Sequence, residues 1–148
     1  MIPDPEPVFN KAWVGVATGP LSAPVLGRVV GMLAARADCP IDRLDDALLV
    51  ADAVAAKAGS FSADGRIRAQ VVARLGCVEM NIGPLRDGGA SELIESAALP
   101  GVGNVLEQVA DELEPREGDG DDDEYLLIRL DFDAQRPSTT DRMESDVT

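Results

Sequence analysis

Histidine is absent from this 148-residue chain, and with it go the commonest general base near neutral pH and the commonest transition-metal ligand. Any acid–base chemistry falls to carboxylates. Cysteine is scarce too. Cys39 and Cys77 are the only two and form no C-x-x-C pair, so neither a zinc cluster nor a disulfide framework is indicated, and both read as buried reduced thiols. Aromatic residues make up 3% of a chain that is 45% hydrophobic, which leaves the core to Val, Leu, Ile and Ala. Bases are few: 13 against 27 acids, for a net charge of −14. That balance argues against DNA or RNA as a direct ligand, since tracking phosphates takes clustered Lys and Arg. The converse, that acidity marks a basic partner, is weaker, because negative charge also serves solubility. No apolar run approaches the ~20 residues of a membrane span. The acidic, proline-broken start Met1-Ile2-Pro3-Asp4-Pro5-Glu6-Pro7 does not read as a signal peptide. The expectation is a cytoplasmic protein without a membrane partner.

What is present is enough for one domain, which at this length buries roughly two thirds of its unfolded surface. Lys11 to Thr18 carries Trp13, Val14 and Val16 and meets Gly19-Pro20, as a first or edge strand ending in a turn does. Ser22 is a candidate helix cap with Pro24 in the first turn, and Leu26, Val29, Val30, Leu33 and Ala37 recur at helical spacing. Cys39-Pro40 breaks that helix, and Asp42 opens a second. Ile67 to Leu75 and Val78 to Ile82 flank Gly76-Cys77 and predict a β-hairpin. A glycine-rich loop from Gly83, a short helix over 91–98, and a helix capped by Asn104 and running through Leu113 follow. Glu114 to Glu124 reads as a solvated acidic loop, and its Asp119-Gly120-Asp121-Asp122-Asp123 lacks the glycine and distal glutamate of a calcium loop. Leu126, Ile128, Leu130 and Phe132 alternate in the clearest strand of the chain, and Gln135 to Thr148 is polar enough to predict a disordered tail. Strands grouped against helices, rather than alternating with them, favour an α+β sheet covered on one face.

The second helix holds the most pointed feature. From Ala47 to Ala58 only Asp52 and Lys57 are not apolar, and a helix hydrophobic on nearly all sides is expected to pack inside the domain. An ionised carboxylate in such a setting needs a pocket, a partner or water. Alternatively, Asp52 projects from a narrow polar stripe with Asp45 and Lys57 and does nothing.

Taken together, the apolar helix with its central acid, the hairpin, the Gly83 loop, the Gly101-Val102-Gly103 turn into Val105-Leu106-Glu107-Gln108-Val109, and the final strand resemble the bacterial anti-sigma-factor serine kinases. These belong to the Bergerat-fold, histidine-kinase-like ATPases. The resemblance covers roughly Val14 to Phe132. It implies a two-layer α/β sandwich with a mixed sheet, spanning 11–133, with a 1–10 extension and a 134–148 tail. It places Asp52 at the catalytic acid, Ala56 where the family's magnesium-holding asparagine stands, Asn81 and Gly83 in the first glycine box, and Gly101 and Gly103 in the second.

The chain departs from that pattern at the reactive atoms. Alanine has no oxygen for a hard cation, and Asp52 is one methylene shorter than the family's glutamate. Asn81 accepts a hydrogen bond without the assistance of charge, and Pro84 and Leu85 replace the rest of the first box. The resemblance therefore implies a regulatory protein that binds a sigma factor or an anti-anti-sigma partner, as a homodimer, with ATP and magnesium binding weakened or lost and no protein-held metal. Two alternatives stay open. One keeps ATP-dependent serine kinase activity, with Asp52 as base and magnesium held by phosphates and water; the other is a small α+β interaction domain of unrelated role.

Overall fold

A computed structural model describes residues 10–74, 76–118 and 123–132; the expected N-terminal extension short of Asn10, most of the Asp119–Asp123 run and the C-terminal tail lie outside them. In chain order the elements are β1 (Asn10–Ala17), α1 (Ser22–Arg36), α2 (Ile41–Phe61), β2 (Arg66–Arg74) and β3 (Cys77–Leu85). They continue with α3 (Gly89–Ser96), β4 (Ala98–Leu99), β5 (Gly103–Asn104), α4 (Val105–Val109), β6 (Glu112–Glu117) and β7 (Glu124–Asp131). Five strands form one sheet in the order β1-β2-β3-β7-β6, and β4 pairs with β5 separately.

The α+β class is as the patterning predicts, but the expected mixed sheet is not found: every pairing among the described residues is antiparallel. The reason lies in β6. The sequence Glu-Leu-Glu-Pro-Arg-Glu reads as acidic loop, yet it pairs with β7 from Glu112↔Arg129 to Glu117↔Glu124. This extra strand reverses the chain once more before β7, which therefore runs antiparallel to β3. Proline is tolerated there because β6 is a sheet edge. The same strand shortens the last helix, expected to run through Leu113, to the five residues of α4.

The period-2 pattern sorts the sheet's two faces. Ile67, Ala69, Val71 and Ala73 of β2, Val78, Met80 and Ile82 of β3, and Leu126, Ile128 and Leu130 of β7 are buried in one cluster with Leu26, Val30 and Leu33 of α1 and Ala47, Val50, Ala51 and Val54 of α2. A buried Val or Leu contributes about 1.5–3 kcal/mol by leaving water. Small residues let the two long helices approach: a Cβ on Gly31 would sit 3.4 Å from Leu48 Cδ2.

The second helix does not sit wholly inside. Its alanine-rich face packs on the sheet and on α1, while Asp45, Leu48, Leu49, Asp52, Ala56 and Lys57 are exposed. In a two-layer fold the helix layer has an outer surface, and alanine and leucine fall on it along with the acids. Arg43 anchors the start of α2 to the far end of the sheet. It donates to Asp46 at 2.8 Å, to Asp111 at 2.7 Å and to the carbonyl of Asp131 at 3.2 Å, and Asp111 in turn accepts the N–H of Asp131 at 2.7 Å.

Candidate functional site

The helices cover one face of the sheet, and the other carries the side chains that alternate with the core. Trp13 of β1, Arg68 and Gln70 of β2, Asn81 of β3, Tyr125 of β7 and Arg116 of β6 line a cleft of about 330 Å³ on that face, near the lower end of the range for ligand sites. Register explains the grouping: Trp13 lies opposite Gln70, Gln70 opposite Asn81, and Tyr125 opposite Arg116. The chain has one tryptophan and one tyrosine, and both stand in this cleft. Trp13 is 72% exposed, with the Lys11 ammonium 5.5 Å from its ring centre.

Two glycines shape the wall. A Cβ on Gly83 would lie 2.6 Å from the Tyr125 ring and 2.8 Å from the Glu124 carbonyl oxygen, and a Cβ on Gly118 would lie 2.8 Å from the opposite edge of that ring. Tyr125 is therefore held between two residues without side chains. The arginines are oriented by neighbouring acids. Arg68 pairs with Asp64 at 2.8 Å and Arg116 with Glu114 at 3.4 Å. The hydrogen bond from Arg68, followed by smaller contributions that include the Arg66 backbone, holds the Asp64 carboxyl below its ordinary range.

The sequence-predicted site residues occupy three separate places. Asp52 is exposed on the outer stripe of α2, one turn from the exposed Ala56, and makes no hydrogen bond or ion pair among the described residues. Asn81 lines the open-face cleft, on the side of the sheet away from the helices. Gly83 lies two residues further along β3, under the Tyr125 ring. Gly101 and Gly103, with φ of +77° and +97°, shape the turn between β4 and β5, where Pro100-Gly101 has the residues a type II turn requires. Gln108 donates to the Val102 carbonyl at 2.7 Å across that turn. Asn104 caps α4, as its sequence position predicts, accepting the Glu107 N–H at 3.1 Å.

A helix N-terminus that would suit an anion is filled from within the chain. The Glu124 carboxylate accepts the N–H groups of Gly88 at 2.8 Å and Ala90 at 3.1 Å, at the start of α3. This places a negative charge against the positive end of the helix dipole. Among the described residues no group of three or more His, Cys, Asp or Glu is placed to hold a metal ion.

Sequence reasoning placed Trp13 and Tyr125 on strands but gave them no site. The signal was the alternation Arg66, Arg68, Gln70 against Ile67, Ala69, Val71, which puts polar side chains on the face the helices leave bare. The cleft supplies ring faces, guanidinium donors and amide groups, a composition suited to binding another surface. No helix among the described residues is long and apolar enough to cross a membrane. No family model matches the chain, and no curated protein matches it.

Proposed function

We propose that this chain is an anti-sigma-like regulatory protein that works by binding another protein, a sigma factor or an anti-anti-sigma partner, with nucleotide binding weakened or lost. The observation that carries the binding half is the open-face cleft, where the only Trp and the only Tyr stand with Arg68 and Arg116. Trp, Tyr and Arg dominate the energetics of protein interfaces. The partner class rests on the resemblance of element order and short motifs. The acidity of the chain fits a partner with a basic, DNA-binding surface, because opposite potentials speed and orient encounter.

The weakened nucleotide chemistry is supported by placement. Asp52 and Ala56 point outward, Asn81 lies on the other side of the sheet, and the α3 N-terminus already holds Glu124. Calorimetric titration with ATP and ADP, with and without magnesium, tests this half; no heat up to millimolar nucleotide is the expected result. Mixing with the sigma factors of the same bacterium, read by size-exclusion chromatography, tests the other. A stable complex that is lost in Trp13→Ser supports the proposal. Magnesium-dependent micromolar nucleotide binding, with phosphorylation of a partner serine, would replace it with the kinase reading.

A further inference from the structure

The open face of the sheet presents groups that its own strands leave unused. Gln70, Asn81 and Tyr125 line the cleft, and their side chains make no hydrogen bond among the described residues. Arg68 and Arg116 each give one guanidinium nitrogen to an acid, at 2.8 Å and 3.4 Å, and a guanidinium carries more N–H groups than one such bond uses. Trp13 is 72% exposed. Against these donors stands one acid in the lining, Glu117. A matching occupant has flat apolar groups for the two rings, carbonyls and carboxylates for the donors, and few N–H groups of its own.

We propose that residues 3–7 of this chain, which lie outside the described residues, occupy the cleft as a polyproline II segment. The sequence Pro3-Asp4-Pro5-Glu6-Pro7 has each of the required properties. Its prolines have no N–H, polyproline II makes no internal hydrogen bonds and leaves every carbonyl open to a donor, and aromatic-lined grooves receive such segments. Asp4 and Glu6 supply carboxylates for Arg68 and Arg116. Residues 133–148, also outside the described residues, carry one proline, Pro137, beside Arg136, and do not match.

The spans agree. Pro7 and Trp13 are each three residues from Asn10, so a reversal over residues 8–9 brings Pro7 back over Trp13. Gln70 lies opposite Trp13, Asn81 opposite Gln70, and Gly83 two residues further along β3. Two strand spacings across and two residues along put Gly83, with the Tyr125 ring packed over it, about 12 Å from Trp13. At about 3.1 Å per residue, polyproline II carries the chain from Pro7 to Pro3 over about 12 Å. Pro7 then rests on the Trp13 ring and Pro3 on the Tyr125 ring, with Gln70 and Asn81 facing the carbonyls between them. So short a tether gives an effective concentration of about millimolar, at which modest contacts suffice. Where the open face also takes a partner protein, as proposed above, the segment must leave first; that consequence alone rests on the earlier reading.

The test uses the full chain without a partner, so its outcome does not depend on whether a sigma factor binds. Trp13 is the only tryptophan and reports directly. Replacing Pro3, Pro5 and Pro7 together by Ser is expected to shift its emission to longer wavelength and to raise its quenching by acrylamide. Asp4→Asn with Glu6→Gln should do the same more weakly, and high salt should mimic that pair, since it screens exposed charges. For position, a nitroxide on Ile2→Cys in a Cys39→Ser/Cys77→Ser background is expected to broaden the amide NMR signals of Gly83 and Tyr125, and Trp13→Ser should abolish that broadening. Unchanged Trp13 fluorescence in the triple Ser variant overturns the proposal. So does broadening confined to Asn10 and Ala73, where β1 begins. Broadening in a mixture of nitroxide-bearing chains with separate isotope-enriched chains would give the cleft to another copy's segment, and would overturn it as well.

Discussion

The ring of Tyr125 lies across Gly83 so closely that a single added methyl would come within 2.6 Å of it. The backbone oxygen of Glu124, 2.8 Å from the same point, blocks the other way out, and a ladder carbonyl cannot move aside as a side-chain tip can. Gly83→Ala is therefore expected to destabilise the fold by about 1–3 kcal/mol, the usual range for overpacking. Urea denaturation checks it: the midpoint should fall with the slope unchanged. If the substitution is silent, Tyr125 does not pack on β3 as described.

Gly83 also shows how far the sequence could be read. Its glycine was legible, and so was the strand leading to it, but glycine answers equally to a phosphate-binding loop and to a close-packed ring. Only the cross-strand neighbour Tyr125, 42 positions on in the chain, decides between them. The same holds for β6. Local composition there says loop, and it becomes a strand because β7 offers it a ladder, a non-local effect that periodicity does not register. By contrast α1, the β2–β3 hairpin and β7 announce themselves, since each pairs an unbroken apolar period with turn residues at its ends. For Asp52, both the pocket and the solvent-stripe readings were open; the outer surface of a two-layer fold places it on the stripe.

Arg43 and Asp111 join the start of α2 to the strand pair β6–β7, 2.7 Å apart and mostly shielded from water. Replacing Arg43 by Met leaves a carboxylate that keeps only part of its hydrogen bonding, and is expected to cost about 1.5–3 kcal/mol. A double-mutant cycle with Asp111→Asn should return a coupling of about 0.5–3 kcal/mol, as for residues in one network. Additive effects would mean that the two side chains do not meet.

Glu124 is expected to govern the order of α3 from a distance of more than thirty residues in sequence. Its carboxylate holds two N–H groups at the helix start, and loss of such a cap typically costs about 0.5–2 kcal/mol. Glu124→Ala should therefore raise amide hydrogen exchange at Ala90 and along α3 while leaving α1 and α2 protected. Glu124→Gln, which keeps an acceptor oxygen but not the charge, should fall between the two.

Cys39 and Cys77 are half-buried rather than fully enclosed as the sequence suggests, and this partial burial still pushes both thiols above the ordinary 9.0, more than offsetting the arginines nearby. The folded state therefore prefers the neutral thiol. As pH rises past the ionisation of the unfolded chain, the unfolded state binds fewer protons than the folded one, so stability falls with pH in that window and levels off above the folded pKa values. Below it the contribution is complete. Alkylation by iodoacetamide at pH 7.5 should accordingly be slower than for a free cysteine peptide, since the thiolate is the nucleophile. A rate equal to the peptide's would contradict the partial burial of both.

Arg68 links the electrostatics of the cleft to an observable outside it. Its hydrogen bond to Asp64 is the largest of the influences that hold this carboxyl below the ordinary range. Because the folded pKa is depressed, the associated stabilisation is present above the unfolded carboxylate pKa and is lost as pH falls through the folded value. Arg68→Gln should move the Asp64 titration up toward the unperturbed midpoint, read by carboxyl-carbon NMR, without changing the exchange protection of the β2–β3 core. It should also weaken any complex formed through the open face, since the same guanidinium lines the cleft. An unshifted Asp64 would place Arg68 elsewhere; a shifted Asp64 with an undiminished complex would move the partner's docking site off this face.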